Sequence, residues 1–596
     1  MCKDCCSRRK NNTMIKFTDP SFVGPPKEPD PDAASLTISE ITFSDGTQVT
    51  LSPNDIVVLV GPNNAGKSAL LREIGRWVPG GGGPLRQVST DAKLRPIGND
   101  RDVRERLQKF GTVFERGGTT VVRGHGFNIE AYSGLENLPM TSLPLQGVFH
   151  RAIRTKDRIT GSDPATSFDA LSKGPNTPIQ LAYFDSDIES RISRHFRKAF
   201  GQDLIVMRVG GNKIPLLVGQ RPTLDPGEDP TRRSYLGKLA ASTKALQEQG
   251  DGMRSFATVI LETLAGQSPT IITLDEPEAF LHPPQAHLLG ELLARERRPL
   301  TQLFVATHSP DVLAGFLKEA PEQLRLLRIH RSGDVNQVKE LPKDKVKAVA
   351  ADPLMKYSPV LSGVFHQRTI ICEADADCMF YQSLLALPSV STETHPDVLF
   401  VHANGKHRMA AMAEALKALA VPVDVIADFD VLSEKSTFQN LVVTLGGDWS
   451  AIETDWNTVK SAIESRKPWL NADALISEIT KKLDAAAGKP EFPKKTSVEI
   501  RNVLKMDSPW AAAKSTGDAA IPNGQPTQAM GRLRDYLEHI GLWIVPVGEL
   551  EGFYRSAGKH GPKWLQTVME ECDLDTEPDL EQAREFVRSV WARPIS

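Results

Sequence analysis

Residues Gly61-Pro-Asn-Asn-Ala-Gly-Lys-Ser68 stand between an apolar run, Ile56-Val-Val-Leu-Val60, and the run Ala69-Leu-Leu-Arg-Glu-Ile74. A buried strand that turns through glycines into a helix is a unit of an α/β fold, so this segment constrains the architecture before any other. The pattern is G-x4-G-K-S, the Walker A loop. Its glycines allow the backbone of Asn63, Asn64, Ala65 and Gly66 to curl N–H groups around the phosphates of a nucleotide. Lys67 brings a positive charge to the terminal phosphates, and the Ser68 hydroxyl is suited to Mg²⁺. ATP with Mg²⁺ is the expected occupant.

With 596 residues the chain is too long for one core, and about three or four units are expected, some of them insertions. A net charge of -3 leaves no general basic surface, so any nucleic-acid contact must be local. No run reaches the roughly 18 to 20 apolar residues that span a bilayer, and the N-terminus lacks the apolar segment of a signal peptide. A cytoplasmic protein with no membrane partner is expected. Cys2, Cys5 and Cys6 have no second cysteine or histidine pair nearby, and residues 1–14 read as a disordered tail rather than a zinc site.

Further along, Thr270-Ile-Ile-Thr-Leu-Asp-Glu-Pro-Glu278 is an apolar strand ending in acids, a Walker B motif. Asp275 is expected to hold Mg²⁺ and Glu276 to polarise the attacking water. Upstream, Gln249-Gly-Asp-Gly-Met-Arg-Ser255 opens a helix, and Gly250 and Gly252 are candidates for capping the γ-phosphate bound to a second subunit. Another apolar strand, Gln302 to Ala306, runs into Thr307-His308-Ser309-Pro310, with His308 as a candidate switch residue. In this order the four segments resemble an ABC-type ATPase head, of the branch found in recombination and chromosome-maintenance ATPases. The glycine segment departs from the Leu-Ser-Gly-Gly-Gln of transporters.

A second α/β pattern begins at Arg368. Strand Thr369-Ile-Ile-Cys372 ends at Glu373 and leads through Asp377 into a helix, and a later strand, Val421 to Ala427, ends in Asp428-Phe-Asp430. Acids after neighbouring parallel strands share one edge of the sheet. Carboxylates so converged repel one another unless cations neutralise them, and hard oxygen donors suit Mg²⁺ or Mn²⁺. As helix caps, Asp377 and Asp428 have an alternative role.

This arrangement resembles a Toprim domain, and behind an ABC-type head it resembles the OLD family of ATP-dependent endonucleases, which includes the nuclease subunit of the Gabija antiphage system. The resemblance covers roughly residues 35 to 590. It implies an α/β fold, with an ABC-type ATPase domain over 15–345 and a Toprim nuclease domain over 365–596; the first holds an insertion of about 80–245 whose role the sequence does not state, dimerisation being one candidate. Glu373 and Asp377 match the family's Glu-Gly-x-x-Asp, with Ala374 in place of the glycine. A late metal-binding acid is implied in Trp543-Ile-Val-Pro-Val-Gly-Glu-Leu-Glu551, Glu551 preferred over Glu549. A lysine near the scissile phosphate is implied too, from Lys559 or Lys563.

The implied partners are double-stranded DNA, a second copy of the chain, and a helicase or other defence subunit. The competing reading is a DNA-binding repair or chromosome-maintenance ATPase whose Toprim-like part does no chemistry. A strand-passage enzyme would need a nucleophilic tyrosine near the metal site, and neither Tyr381 nor Tyr554 has a recognisable DNA-gate setting. The helical stretch of about 435–540, with Trp449, Trp456, Trp469 and Trp510, reads as an insertion that either shapes a DNA channel or dimer contact or packs its own core. A helix over Asp187 to Phe200 sets Ile192 and Phe196 against Arg191, Arg194, Arg197 and Lys198, a solvated basic face before it is a contact surface.

Overall fold

The computed structural model describes residues 34–594, apart from 83–86, 133–134, 136–144, 170–173, 210, 266–268, 334, 352–358, 392–395, 466–471, 488–490, 507–508 and 559. Cys2, Cys5, Cys6, Trp469 and Lys559 therefore lie outside the described residues. Two compact units divide the chain, Met1–Ala350 and Ala351–Ser596. Both are built of helices and sheets.

The first unit is organised by a six-stranded sheet. Its order is Val335–Leu341, Leu324–Ser332, Ile56–Val60, Gln302–Ala306, Ile271–Asp275 and His150–Ile153. All pair in parallel except the first, which closes a hairpin. Every residue of Ile56–Val60 is buried, as an unbroken apolar run in the middle of a parallel sheet must be. Strand Gln302–Ala306 lies between the Walker A and Walker B strands, so Thr307 and His308 emerge between the phosphate loop and Asp275. A separate antiparallel sheet pairs Ser35–Phe43 with Gln48–Thr50 and Ser89–Ile97, the first pair forming a hairpin ahead of the Walker strand.

Helix Ser186–Phe200 buries Ile192 and Phe196. Its opposite face is partly neutralised from within the unit: Arg191 reaches Glu296 at 2.6 Å, Lys198 reaches Glu291 at 3.4 Å, and Arg197 binds Asp203. Those three cations have structural partners, which leaves Arg194 as the exposed remainder.

The second unit has a four-stranded parallel sheet in the order Val398–His402, Arg368–Cys372, Val423–Ala427 and Leu542–Ile544. The last strand is shorter than the apolar run Trp543 to Gly548 suggests, because Pro546 lacks an amide hydrogen and Gly548 turns at φ 106°. One face packs helices Asp375–Leu385, Pro562–Glu571 and Glu581–Ala592 through Phe380, Tyr381, Phe553, Trp564 and Phe586. The buried Asp424 ties the chain's end to this sheet, accepting from Arg593 Nε at 2.7 Å and Trp543 Nε1 at 3.0 Å. Within the helical stretch, Trp449 and Trp456 are buried edge to face, and Trp456 Nε1 donates to Leu432 O at 3.0 Å. Those two indoles pack a core rather than line a channel. No helix among the described residues is long and apolar enough to cross a membrane.

Candidate functional site

Three backbone positions shape the phosphate loop. Gly61 (φ 135°) passes so close to strand Leu324–Ser332 that a Cβ there would lie 2.1 Å from Ile329 O, while Gly66 (φ 98°) and Asn64 (φ 61°) turn left-handed before helix Lys67–Trp77 begins. Lys67 is buried and its ammonium donates to Gly61 O and Pro62 O, each at 2.7 Å. Ser68 Oγ donates to Asp275 Oδ1 at 2.9 Å, so the two residues expected at Mg²⁺ touch. Burial raises the Asp275 pKa, against the Ser68 hydrogen bond and with help from the nearby Glu276 charge.

Glu276 has a left-handed backbone, φ 46°, uncommon for a residue with a Cβ. The strain is held on both sides: its N–H donates to Ala306 O at 2.8 Å and its C=O accepts from the buried Arg158. Its carboxylate stands 3.9 Å from His308 Nε2, a close apposition beyond hydrogen-bond reach. Gly250 caps helix Asp251–Leu264, and a Cβ on Gly252 would lie 2.5 Å from Phe280 O, so this glycine is required by packing against the loop that follows Walker B.

In the second unit Glu373, Asp428 and Asp430 offer carboxylate oxygens within 4.8 Å of one another, and Glu549, Glu551 and His560 form a second such group. Glu373 Oε2 is buried without a hydrogen-bond partner. Burial raises the pKa of Glu373, Asp428 and Glu549, with neighbouring carboxylates adding to it. Asp377 stands outside both groups. Its Oδ2 accepts from Ala374 N at 2.8 Å at the start of helix Asp375–Leu385, and burial lifts its pKa to about 6. Lys563 is exposed at the start of helix Pro562–Glu571 and makes no ion pair with the acids among the described residues. An orphaned carboxylate oxygen within an all-oxygen donor set fits Mg²⁺ or Mn²⁺ at Glu373, Asp428 and Asp430.

The family described as "AAA domain, putative AbiEii toxin, Type IV TA system" matches residues 212–314, a stretch that holds Gly250, Asp275, Glu276 and His308 but not the phosphate loop. The Old nuclease of Escherichia phage P2 is 22% identical over 617 residues, covering 92% of this chain and 96% of the relative. Over nearly its whole length the chain is similar to that nuclease. The hemin import ATP-binding protein HmuV of Enterobacter cloacae is 28% identical over 150 residues, 25% of this chain and 52% of that protein. Among solved structures, the SMC head domain from Thermotoga maritima is 16% identical over 52% of this chain and 99% of its own, with a TM-score of 0.24. The Smc head domain from Pyrococcus furiosus, with an extended coiled coil and bound to the C-terminal domain of ScpA, is 10% identical over 53% and 98%, with a TM-score of 0.31.

Several further side chains stand at the two sites. Lys514, on helix Pro509–Thr516, sets its Nζ 2.8 Å from Asp428 Oδ2 and 3.4 Å from Asp430 Oδ1. Burial pulls its pKa down, but the facing carboxylates outweigh that and hold it above the ordinary lysine value. Lys406 grips the other side of Asp430 at 3.0 Å. At the phosphate loop, buried Asn336 donates from Nδ2 to Ala65 O at 2.6 Å. Glu278 closes the back of the loop after Walker B: its Oε1 accepts from His308 N at 2.7 Å, and burial raises its pKa. Of these, Glu278 alone had a local signal, as the last acid of Leu-Asp-Glu-Pro-Glu.

Proposed function

We propose that this chain is an ATP-regulated, divalent-metal-dependent DNA endonuclease acting in defence against phage or other foreign DNA. The observation that carries the reading is the convergence of Glu373, Asp428 and Asp430 at the carboxyl edge of a parallel sheet, with Lys514 among them. Support comes also from the Old nuclease, whose likeness spans both the phosphate loop and this acid cluster.

On this reading Glu373, Asp428 and Asp430 hold one Mg²⁺ or Mn²⁺, and Glu549 and Glu551 a second, with Asp377 steadying the turn that presents Glu373. Divalent ions bound there supply the positive charge that makes a water nucleophilic and eases departure of the leaving oxygen. Lys406 fixes the orientation of Asp430. Lys514 turns toward the scissile phosphate and offsets the charge that builds on it, the role expected of Lys559 or Lys563. In the first unit Lys67 and the Asn63–Gly66 backbone bind the ATP phosphates, Ser68 and Asp275 hold Mg²⁺, Glu276 polarises the attacking water, and His308 stands beside Glu276 to sense the γ-phosphate. Gly250 and Gly252 of a second copy complete that site, which makes the working form at least a homodimer.

One observation favours the other reading, a repair or chromosome-maintenance ATPase with a silent second unit: the Lys514 ammonium is ion-paired with both Asp428 and Asp430 and would compete with a metal for them. Supercoiled and linear DNA incubated with Mg²⁺ or Mn²⁺, with and without ATP, separates the two. The nuclease reading expects cleavage by the native chain, none by Glu373→Ala, and altered ATP control in Lys67→Ala. Cleavage that persists in Glu373→Ala would remove the assignment.

A further inference from the structure

Beside the phosphate loop the first unit opens a cleft of about 970 Å³ between helix Lys67–Trp77, the Gly126–Asn128 turn, and strand His150–Ile153 with the residues that follow it. The lining includes Ser68 at one end of the helix and Gly80 and Gly81 beyond the other. The cleft thus follows the helix for about 15 Å at 1.5 Å per residue. Five cations face it, Arg72, Arg76, Arg151, Arg154 and Lys156, against two carboxylates, Asp157 and Asp275. In a chain of net charge -3 that local excess runs against the average.

Arg151 is built into place. Its guanidinium donates to His125 O at 2.7 Å and lies 3.5 Å from Glu262, and a Cβ on Gly126 would sit 2.3 Å from it, so the turn requires glycine for the arginine to lie there. Arg72, Arg76, Arg154 and Lys156 are exposed and form no ion pair among the described residues. Arg72 and Arg76 are also four residues apart on one helix, a like-charge spacing that destabilises the helix unless something neutralises it. A cleft lined by one sign of charge focuses its field and draws in counter-charge.

We infer that this cleft binds the phosphodiester backbone of a DNA strand, separately from the nucleotide at Gly61–Ser68. The inference takes its ligand from the nuclease reading above. Its length corresponds to about four nucleotide steps at the roughly 3.4 Å rise of a duplex, longer than the phosphate chain of a mononucleotide. Phe127 and His150, the ring-bearing residues of the lining, are buried, so among the described residues of the cleft no ring is available for bases to stack on and the contact is to the backbone without regard to sequence. Because Ser68 and Asp275 form part of the same wall, a strand lying here passes beside the Mg²⁺ residues of the ATP site.

The test measures binding of a fluorescent duplex and a fluorescent single strand to the full chain by anisotropy, in EDTA so that nothing is cut, across a salt series. In Arg76→Gln/Lys156→Gln the dissociation constant is expected to rise about tenfold. The slope of log K against log salt should shrink by nearly 2, about 0.9 for each phosphate no longer neutralised. Circular dichroism melting checks that the variant folds, and in the native chain DNA should shield Lys156 from acetylation. Unchanged affinity and slope with Lys156 still reactive, or a native chain that binds no DNA, overturns the inference. Protection by polyglutamate but not by DNA would also overturn it, in favour of an acidic protein segment. The nuclease reading stands or falls separately, on cleavage with Mg²⁺ or Mn²⁺ by the native chain and its loss in Glu373→Ala.

Discussion

Lys514 Nζ and Asp428 Oδ2 are 2.8 Å apart, although one lies on a helix inside the long insertion and the other follows a strand of the central sheet. Under the proposed function the lysine would oppose the ions that the acids hold and also supply charge to a phosphate, so its removal moves two measurements in opposite directions. Lys514→Met is expected to cut DNA about 10²-fold more slowly, the usual cost of removing one stabilising group from a transition state. The same variant should bind Mn²⁺ more tightly by calorimetry, since a competing cation is gone. A merely structural lysine would lower both cleavage and metal affinity together.

The position of that lysine is set by backbone rather than side chains. A Cβ on Gly548 would lie 2.0 Å from Lys514 O, and one on Gly517 would lie 2.0 Å from Pro546 O. Two chain segments cross there in contact, and Gly548 turns at φ 106°. Gly548→Ala combines overpacking with a disfavoured backbone, together about 2–4 kcal/mol. Its thermal midpoint should fall and DNA cleavage should be lost well below that midpoint. ATP turnover, which belongs to the other compact unit, is expected to continue at the native rate under those conditions.

What the sequence made legible, and what it hid, divides along the range of the interactions. Gly61 to Ser68 and Thr270 to Glu278 could be read because a phosphate loop and an acid-tipped strand are local patterns, each needing only its own neighbours. The strands ending at Glu373 and Asp428 were legible in the same way, and their pairing follows from the parallel α/β alternation. Lys514 and Asn336 were not. Asn336 meets Ala65 across 271 positions of sequence, and a lone Asn in a hairpin strand or a lone Lys in a short helix carries no mark of its distant partner. Asp377 was readable in either of two ways, as ligand or as cap, and its hydrogen bond to Ala374 N is the capping one.

Asn336 offers a clean contrast with Glu276. The amide donates to Ala65 O inside the phosphate loop and is buried, so Asn336→Ala leaves that carbonyl without its partner at a cost of about 1–3 kcal/mol. The loop should bind phosphates less well in ground state and transition state alike. Steady-state ATP hydrolysis is expected to have a KM raised about tenfold with kcat nearly kept. In Glu276→Gln, by comparison, kcat should collapse with KM little changed. If Asn336→Ala altered kcat alone, the amide would be positioning the reaction rather than the loop.

His150 provides the pH signature of the first unit. It begins the edge strand of the main sheet, is buried against Gly75, and keeps Nε2 3.1 Å from Thr273 Oγ1. Burial, aided by the charges of Arg151 and Arg154, holds its pKa down to about 4 against the ordinary 6.5. Between those values the unfolded chain takes up a proton that the folded chain refuses, so stability is complete above pH 6.5 and drains away as pH falls toward 4. The full difference is worth about 3 kcal/mol. Urea unfolding of the native chain and of His150→Gln, which can keep a bond to Thr273, should therefore differ in pH dependence. The native chain is expected to lose about 3 kcal/mol more than the variant between pH 7 and pH 4. Carboxylates that titrate over the same range are common to both and cancel in the comparison. Parallel curves would mean that His150 takes up its proton as readily in the folded chain as in the unfolded one.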